Sequence, residues 1–201
     1  MVKRINTFGS FLEYCYIYYD DLTKHGFLID PGASEYNILD IIKTNKITID
    51  KILITHGHFD HIGAVNTLRK ELNVEVYSYS NEYLENSYLN LSYYSREIII
   101  KDSKRFGDLI TLNDNPNFYL KPFYTPGHTN DSVIFVNDKE HICFSGDTIF
   151  KNSYGRYDLP GGNRDKLMDS IYNIVLKLDP STILYSGHSE ETAVSLELNN
   201  Y

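Results

Sequence analysis

The 201-residue chain has no tryptophan, only two cysteines, two methionines and six prolines. Cys15 and Cys143 are too few and too far apart for a disulfide framework, and their apolar surroundings predict two reduced, buried thiols. No apolar run approaches the roughly 20 residues that a membrane span needs. The opening "MVKRINTFGSFLEYCYIYYD" has an early Lys3-Arg4 pair but neither an apolar stretch nor a small-residue cleavage site, so a cytoplasmic protein with no membrane partner is expected. Positive charge is scarce as well. With 19 Lys and Arg against 27 Asp and Glu, the formal net charge is −8, which argues against a nucleic-acid partner, since the phosphate backbone calls for a basic face. No linker and no repeat of 20 to 50 residues interrupts the chain, and one domain over residues 1–201 is expected.

What is present is ordinary for a globular protein, with 42% hydrophobic and 23% charged residues. The 18 tyrosines fit strands such as "EYCYIYYD", where the ring packs and the hydroxyl stays wet. That stretch and "HGFLIDPG" read as a strand pair closed by Pro31-Gly32. "SEYNILDIIKTN" predicts a helix with Ser34 as N-cap and Ile38, Ile41 and Ile42 on one face. "KILITH" reads as a buried strand, and "HIGAVNTLRKELN" as a helix presenting Ile62, Val65, Leu68 and Leu72. The segment "SYSNEYLENSYLNLSYYS" is irregular and predicts a helix and loop. Strands follow at "DLITL", "NFYLKPFYT", "SVIFVN" and "HICFSGD". A helix then covers "NRDKLMDSIYNIVLKLD", a buried strand "STILYSGH", and a closing helix "SEETAVSLELNNY". Strands in both halves with helices between them predict an α/β architecture of two sheets with outer helices.

One segment stands apart. "THGHFDHIGA", Thr55 to Ala64, holds three of the seven histidines. His56 and His58 directly follow a strand, and Asp60 and His61 open the next helix, so all four project at the carboxyl end of that strand, where α/β sheets place ligands. An extended His-x-His lets both imidazoles bind one ion, while Asp60 and His61 point to a neighbouring spot, an arrangement suited to two metals. Three other positions satisfy the same rule, each a ligand type preceded by a turn-permitting glycine: His128 in "YTPGHT", Asp147 in "FSGDT" and His188 in "LYSGHS". Taken singly these three are ordinary turn residues. The cluster differs, because several imidazoles buried together without a cation are left desolvated and unpaired. Five imidazoles and two carboxylates suit Zn²⁺, and also Fe or Mn. His25 and His141 carry no partner pattern and are expected to be structural or exposed.

With these residues in place the chain resembles the metallo-β-lactamase-fold hydrolases over nearly its whole length. "FLIDPG", "THGHFDHIGA", "YTPGHT", "FSGDTIF" and "SGHS" occur in the order used by that superfamily. "GDTIFKNSYGRYDLPGG" and "LNLS", Leu89 to Ser92, are similar to the glyoxalase II-like (hydroxyacylglutathione hydrolase-like) subgroup, here expected without its C-terminal helical domain. The resemblance implies a four-layer αβ/βα sandwich with His56, His58 and His128 on a first metal. Asp60, His61 and His188 would hold the second, and Asp147 would bridge, with Asp60 and Asp147 at the catalytic centre. "GHTNDS" and "GHSEET" depart from the subgroup beside the site.

The chemistry that follows is hydrolysis. Two cations about 3.5–4 Å apart hold a bridging water and lower its pKa from 15.7 to about 7. The resulting hydroxide attacks a carbonyl, and the oxyanion is stabilised by metal. A thiolate, from a thiol of pKa about 8.5, leaves without protonation, whereas an amine does not, and no dedicated acid is evident. That favours a thioester or an activated ester over an amide, and the resemblance to the glyoxalase II-like subgroup implies a small glutathione thioester such as S-lactoylglutathione. Arg156 either meets a substrate carboxylate or pairs with Asp158, the pairing being favoured. The alternatives are a mononuclear iron persulfide dioxygenase, a β-lactamase, a nuclease and, outside enzymology, a metal-stabilised binding module.

Overall fold

The computed structural model describes residues 1–9, 12–80, 100–113 and 115–201. Most of the tyrosine-rich segment, including "LNLS", lies outside them. The chain divides into two compact units, Met1–Phe106 with Thr111–Tyr119, and Gly107–Ile110 with Leu120–Tyr201.

In the first unit a six-stranded sheet has the order β1-β2-β3-β4-β5-β6. The strands are β1 (Val2–Phe8), β2 (Leu12–Tyr19), β3 (His25–Ile29), β4 (Thr48–Leu53), β5 (Glu75–Ser78) and β6 (Lys104–Arg105). β1, β2 and β3 pair antiparallel, whereas β3 to β6 pair parallel. Parallel strands are covered on both faces, which explains the unbroken apolar runs "FLI" (Phe27–Ile29) and "ILI" (Ile52–Ile54). Phe27, Leu28, Ile52 and Leu53 are fully buried. α1 (Glu35–Thr44) connects β3 to β4 and seats Ile38 and Ile42 in the core, with Ile41 partly buried.

Several expectations change here. β1, β5 and β6 are strands that the sequence reading did not contain; β1 alternates polar residues at an edge with few apolar ones to mark it, and β5 and β6 are only four and two residues long. Ser34 does not cap α1. It sits at φ 60 without a side-chain cap, and its Oγ accepts the Phe8 amide at 3.0 Å instead. The helix expected at 61–73 is two, α2 (Phe59–Ile62) and α3 (Val65–Leu72). Gly63, between them, packs so closely on Gly32 that a Cβ would stand 2.2 Å from the Gly32 carbonyl oxygen. That contact turns the chain.

The second six-stranded sheet has the order β14-β13-β10-β9-β8-β7. It comprises β7 (Ile110–Thr111), β8 (Tyr119–Tyr124), β9 (Val133–Asn137), β10 (Ile142–Gly146), β13 (Ile183–Ser186) and β14 (Thr192–Ala193). A separate hairpin joins β11 (Ile149–Phe150) to β12 (Ser153–Tyr154). α4 (Arg164–Asn173) is capped by the Asn163 side chain, which accepts the Lys166 amide. It stops at Ile174 and a three-ten turn, Val175–Lys177, follows. Leu167, Ile171 and Val175 fill this unit's core with Ile134, Cys143 and Leu184. The expected closing helix is only α5 (Val194–Glu197), preceded by β14.

Each unit is thus a mixed sheet with helices, as the α/β expectation requires. Both cysteines are free and fully buried, and burial pushes their thiols up. Among the described residues no helix is long and apolar enough to cross a membrane. Gly127 combines a positive φ with a close backbone approach in the second unit. Its φ is 136, and a Cβ would lie 2.2 Å from the Leu167 backbone nitrogen. Gly127→Ala is expected to cost about 2–4 kcal/mol, measured as a lower denaturant midpoint; an unchanged midpoint would contradict this packing.

Candidate metal centre

In the first unit the site is built where β3 and β4 end side by side. Asp30 follows β3 in the left-handed region, φ 48, a conformation that Asp tolerates better than most residues. Its Oδ1 accepts the Thr55 amide at 2.7 Å and its Oδ2 the Thr55 hydroxyl at 2.5 Å. The same Oδ2 stands 3.0 Å from His61 Nδ1. A carboxylate only accepts, so Nδ1 carries the proton and Nε2 keeps the lone pair, the form that binds metals. The Thr55 hydroxyl spends its proton on Asp30 and lies 3.1 Å from His56 Nδ1. It is therefore placed to accept from that ring, which gives His56 the same tautomer.

His56, His58 and His61 are all buried. Ring centroids are 4.6 Å apart for His56 and His58 and 4.1 Å for His56 and His61. His58 stands at the N-cap position of α2, whose first turn holds Asp60, and the His61 amide donates to the His58 carbonyl at 3.0 Å. Gly32 makes this packing possible, since a Cβ there would overlap the Asp60 carbonyl oxygen at 1.4 Å. The four residues expected from "HGHFDH" are therefore neighbours. Asp30, His56 and His61 also bring ligand atoms within 4.8 Å of one another, but Asp30 is already committed to Thr55 and to the proton of His61.

Two residues of this unit were missed. Asp30 was read only within the strand "HGFLIDPG", before the breaker Pro31-Gly32; a carboxylate at the carboxyl end of a strand next to β4 was the available signal. Glu13 was read only as strand. It is fully buried and accepts the Thr7 hydroxyl at 2.7 Å, with Oε1 3.9 Å from His61 Nδ1. Burial, and then the charge of Asp30, push its carboxyl well above the usual range, against the opposing pull of His61. Strand periodicity gives no warning of an inward-facing carboxyl.

In the second unit, β10 and β13 pair parallel, with a register shift between Phe144 and Gly146. The shift, with Gly146 at φ 49, re-aims the residue that follows. Asp147 and His188 thus emerge from adjacent strand ends, and the Gly187 amide donates to the Gly146 carbonyl at 3.0 Å. His128 lies in the turn after β8. Its Nδ1 is 2.6 Å from the Arg156 carbonyl oxygen, which can only accept, so Nε2 again holds the lone pair. Gly155 allows this approach; a Cβ there would meet the Asp147 carbonyl oxygen at 1.9 Å and His128 Nδ1 at 2.9 Å.

Asp147 Oδ2 is 3.5 Å from His128 Nε2 and 3.5 Å from His188 Nε2. Both separations are too long for a good N–H···O bond, which spans about 2.7–3.2 Å. Two ligand atoms sharing a zinc at about 2.0–2.2 Å and the tetrahedral angle stand roughly 3.3–3.6 Å apart. The pairs match that edge, so the donor set fits a metal ion beside the Asp147 carboxylate. Arg156 behaves otherwise: Nε and Nη2 donate to Asp158 at 2.8 and 2.9 Å. The pair is exposed, and the guanidinium pulls the Asp158 carboxyl down to about 2. His25 pairs with Asp50 at 2.7 Å and His141 is exposed near Asp179, as structural or surface histidines should be.

Comparison with known proteins agrees with this chemistry. The family model described as "Metallo-beta-lactamase superfamily" matches residues 10–188. "Probable metallo-hydrolase YqgX" of Bacillus subtilis (strain 168) is 38% identical over 176 residues, 85% of this chain and 82% of that protein. "Hydroxyacylglutathione hydrolase GloC" of Haemophilus influenzae is 28% identical over 197 residues, 94% and 91% of the two chains. Among solved structures, that of "BLEG-1 B3 metallo-beta-lactamase" has a TM-score of 0.88 at 33% identity, covering 99% of this chain and 97% of that one. That of "TTHA1623 in a di-iron-bound form" has a TM-score of 0.84 at 28% identity, covering 98% of each. The chain belongs to the metallo-β-lactamase superfamily and has its α/β fold, in a family of metal-dependent hydrolases.

Proposed function

We propose that this chain is a dinuclear metallohydrolase of small thioesters, of the kind exemplified by hydroxyacylglutathiones, working in the cytoplasm as a single domain over residues 1–201. His56, His58 and His128 would hold the first metal and Asp60, His61 and His188 the second, with Asp147 as the ligand that would bridge them. Zinc is the first choice, with iron or manganese compatible with the same donors. The observation that carries this reading is the Asp147 carboxylate oxygen equidistant from His128 and His188. The names of GloC and of the di-iron TTHA1623 structure support the thioester and the metal pair.

When bound, the metals supply an activated water and polarise the substrate carbonyl. The protein's own residues do the rest. Asp30 and the Arg156 carbonyl hold the Nδ1 protons of His61 and His128, which keeps each Nε2 available as a ligand. The buried imidazoles exclude bulk water and strengthen the electrostatics within the site. None of the assigned residues is a dedicated acid for an amine leaving group, and a thiolate needs none.

The test pairs elemental analysis with a substrate screen. Two metals per chain and turnover of S-lactoylglutathione or a related thioester are expected, with phosphodiesters and β-lactams poor. β-Lactam turnover alone would favour the activity named for BLEG-1. One iron per chain with oxygen consumed on a persulfide would replace the hydrolase by a dioxygenase, and metal without turnover would leave a binding module.

Asp147→Ala is expected to lose most activity and to bind fewer than two metals; retained activity would remove the bridging role. Asp30→Asn keeps the shape but weakens the acceptor for His61, and a 10–100-fold loss in metal affinity or activity is expected. An affinity within about twofold of the parent protein would show that Asp30 does not set the His61 tautomer.

A further inference from the structure

The segment Thr192–Tyr201 makes an unusually dense set of contacts with the β11–β12 hairpin. Glu197 is fully buried and its carboxylate is fully occupied. Oε1 accepts the Thr192 hydroxyl at 2.7 Å, Oε2 accepts Asn200 Nδ2 at 2.8 Å, and both oxygens receive the Asn152 amide at 3.2 and 3.1 Å. Asn152 is the hairpin's left-handed turn residue, φ 59, and its Oδ1 accepts Asn200 Nδ2 at 3.0 Å. Tyr201 donates its hydroxyl to the Ser153 carbonyl and packs its ring 5.9 Å from that of Tyr154. A buried carboxylate costs several kcal/mol in desolvation unless charge-assisted bonds offset it. Closing a short surface hairpin would not by itself demand such a group.

The hairpin's other side meets the loop that carries His188. The Lys151 amide donates to Ser189 Oγ at 2.9 Å, and Ser189 is bound in turn to Ser186 at 2.7 Å. The Phe150 ring stands edge-on to the His188 imidazole, with centroids 6.1 Å apart and planes at 88°. One continuous set of contacts thus runs from Glu197 through Asn152 and Lys151 to the residue beside His188, with Phe150 against the imidazole itself. His188 is the least buried of the three second-unit ligands, so its ring has the most freedom to lose.

We infer that Glu197 is a positioning residue: the C-terminal segment Thr192–Tyr201 clamps the β11–β12 hairpin, and the hairpin holds His188 in its ligating orientation through Ser189 and Phe150. The inference rests on His188 being a metal ligand, as proposed above. It assigns a site-directed task to residues that neither the ligand motifs nor the family match over residues 10–188 includes.

The absence of tryptophan provides a local probe. In the full-length protein, Phe150→Trp places a single indole beside His188. Adding Glu197→Ala is expected to red-shift its emission and raise its quenching by acrylamide while the chain stays folded. In the Phe150 parent, Glu197→Ala is expected to weaken zinc about tenfold, the scale of an orienting partner, in competition with a chromophoric chelator. Glu197→Gln, which keeps one acceptor oxygen, recovers part of that loss. Should Glu197→Ala fail to fold, Tyr201→Phe and Asn200→Ala, nearer the chain end, take its place with smaller shifts of the same sign. An unchanged indole signal in every folded variant overturns the clamp. A changed signal with unchanged chelator competition overturns its link to His188. If the parent protein binds no zinc, the proposed metal centre fails, while the indole measurement still decides the clamp.

Discussion

A neutral imidazole has one lone pair, and much of the arrangement in both units serves to decide which nitrogen keeps it. His61 gives its Nδ1 proton to Asp30, and His128 gives its own to the Arg156 carbonyl. Neither acceptor can donate, so the tautomer is set by chemistry and not by fine geometry. Asp30 is for this purpose buried and held in an uncommon backbone region. Thr55 meets part of that cost by donating both its amide and its hydroxyl. For Glu13, a few ångströms further in, burial and then the nearby Asp30 push the carboxyl well above its ordinary range, against the pull of His61.

The same requirement explains where glycine is indispensable. To bring the Arg156 carbonyl onto His128, residue 155 must pass against the Asp147 backbone, and any side chain there would collide with both. Gly32 plays the corresponding part in the first unit, lying on the Asp60 carbonyl. These glycines are needed for close approach, whatever their torsion angles. Secondary structure alone would place the histidines near one another; the tight turns determine which atom each of them presents.

The candidate ligands stood out in the sequence because each follows a strand and sits in a short motif of distinctive composition. "HGHFDH" announces itself by density, and His128, Asp147 and His188 by the glycine before each. The strands β2, β3, β4, β9, β10 and β13 were legible for a related reason, since buried strands carry continuous apolar runs. What stayed hidden was polar and local. β1 has too few apolar residues to stand out, and Ser34 gives its oxygen to Phe8 instead of to its own helix. The break at Gly63 depends on Gly32, which lies far back along the chain. Asp30 and Glu13 look like a turn residue and a strand residue until the fold places them beside His61.

Arg156 illustrates how backbone and side chain can have separate tasks. Its carbonyl fixes His128, while its guanidinium lies in water, forked onto Asp158. An exposed pair of this kind is largely screened by water, so it does little to hold the loop. It also limits what the side chain can offer a substrate. A carboxylate arriving at Arg156 would have to displace Asp158, exchanging one bidentate ion pair for another of similar strength. The net gain is the difference between two nearly equal terms, further reduced by salt. For the thioester proposed above, discrimination has to come mainly from groups that are not already paired off in this way.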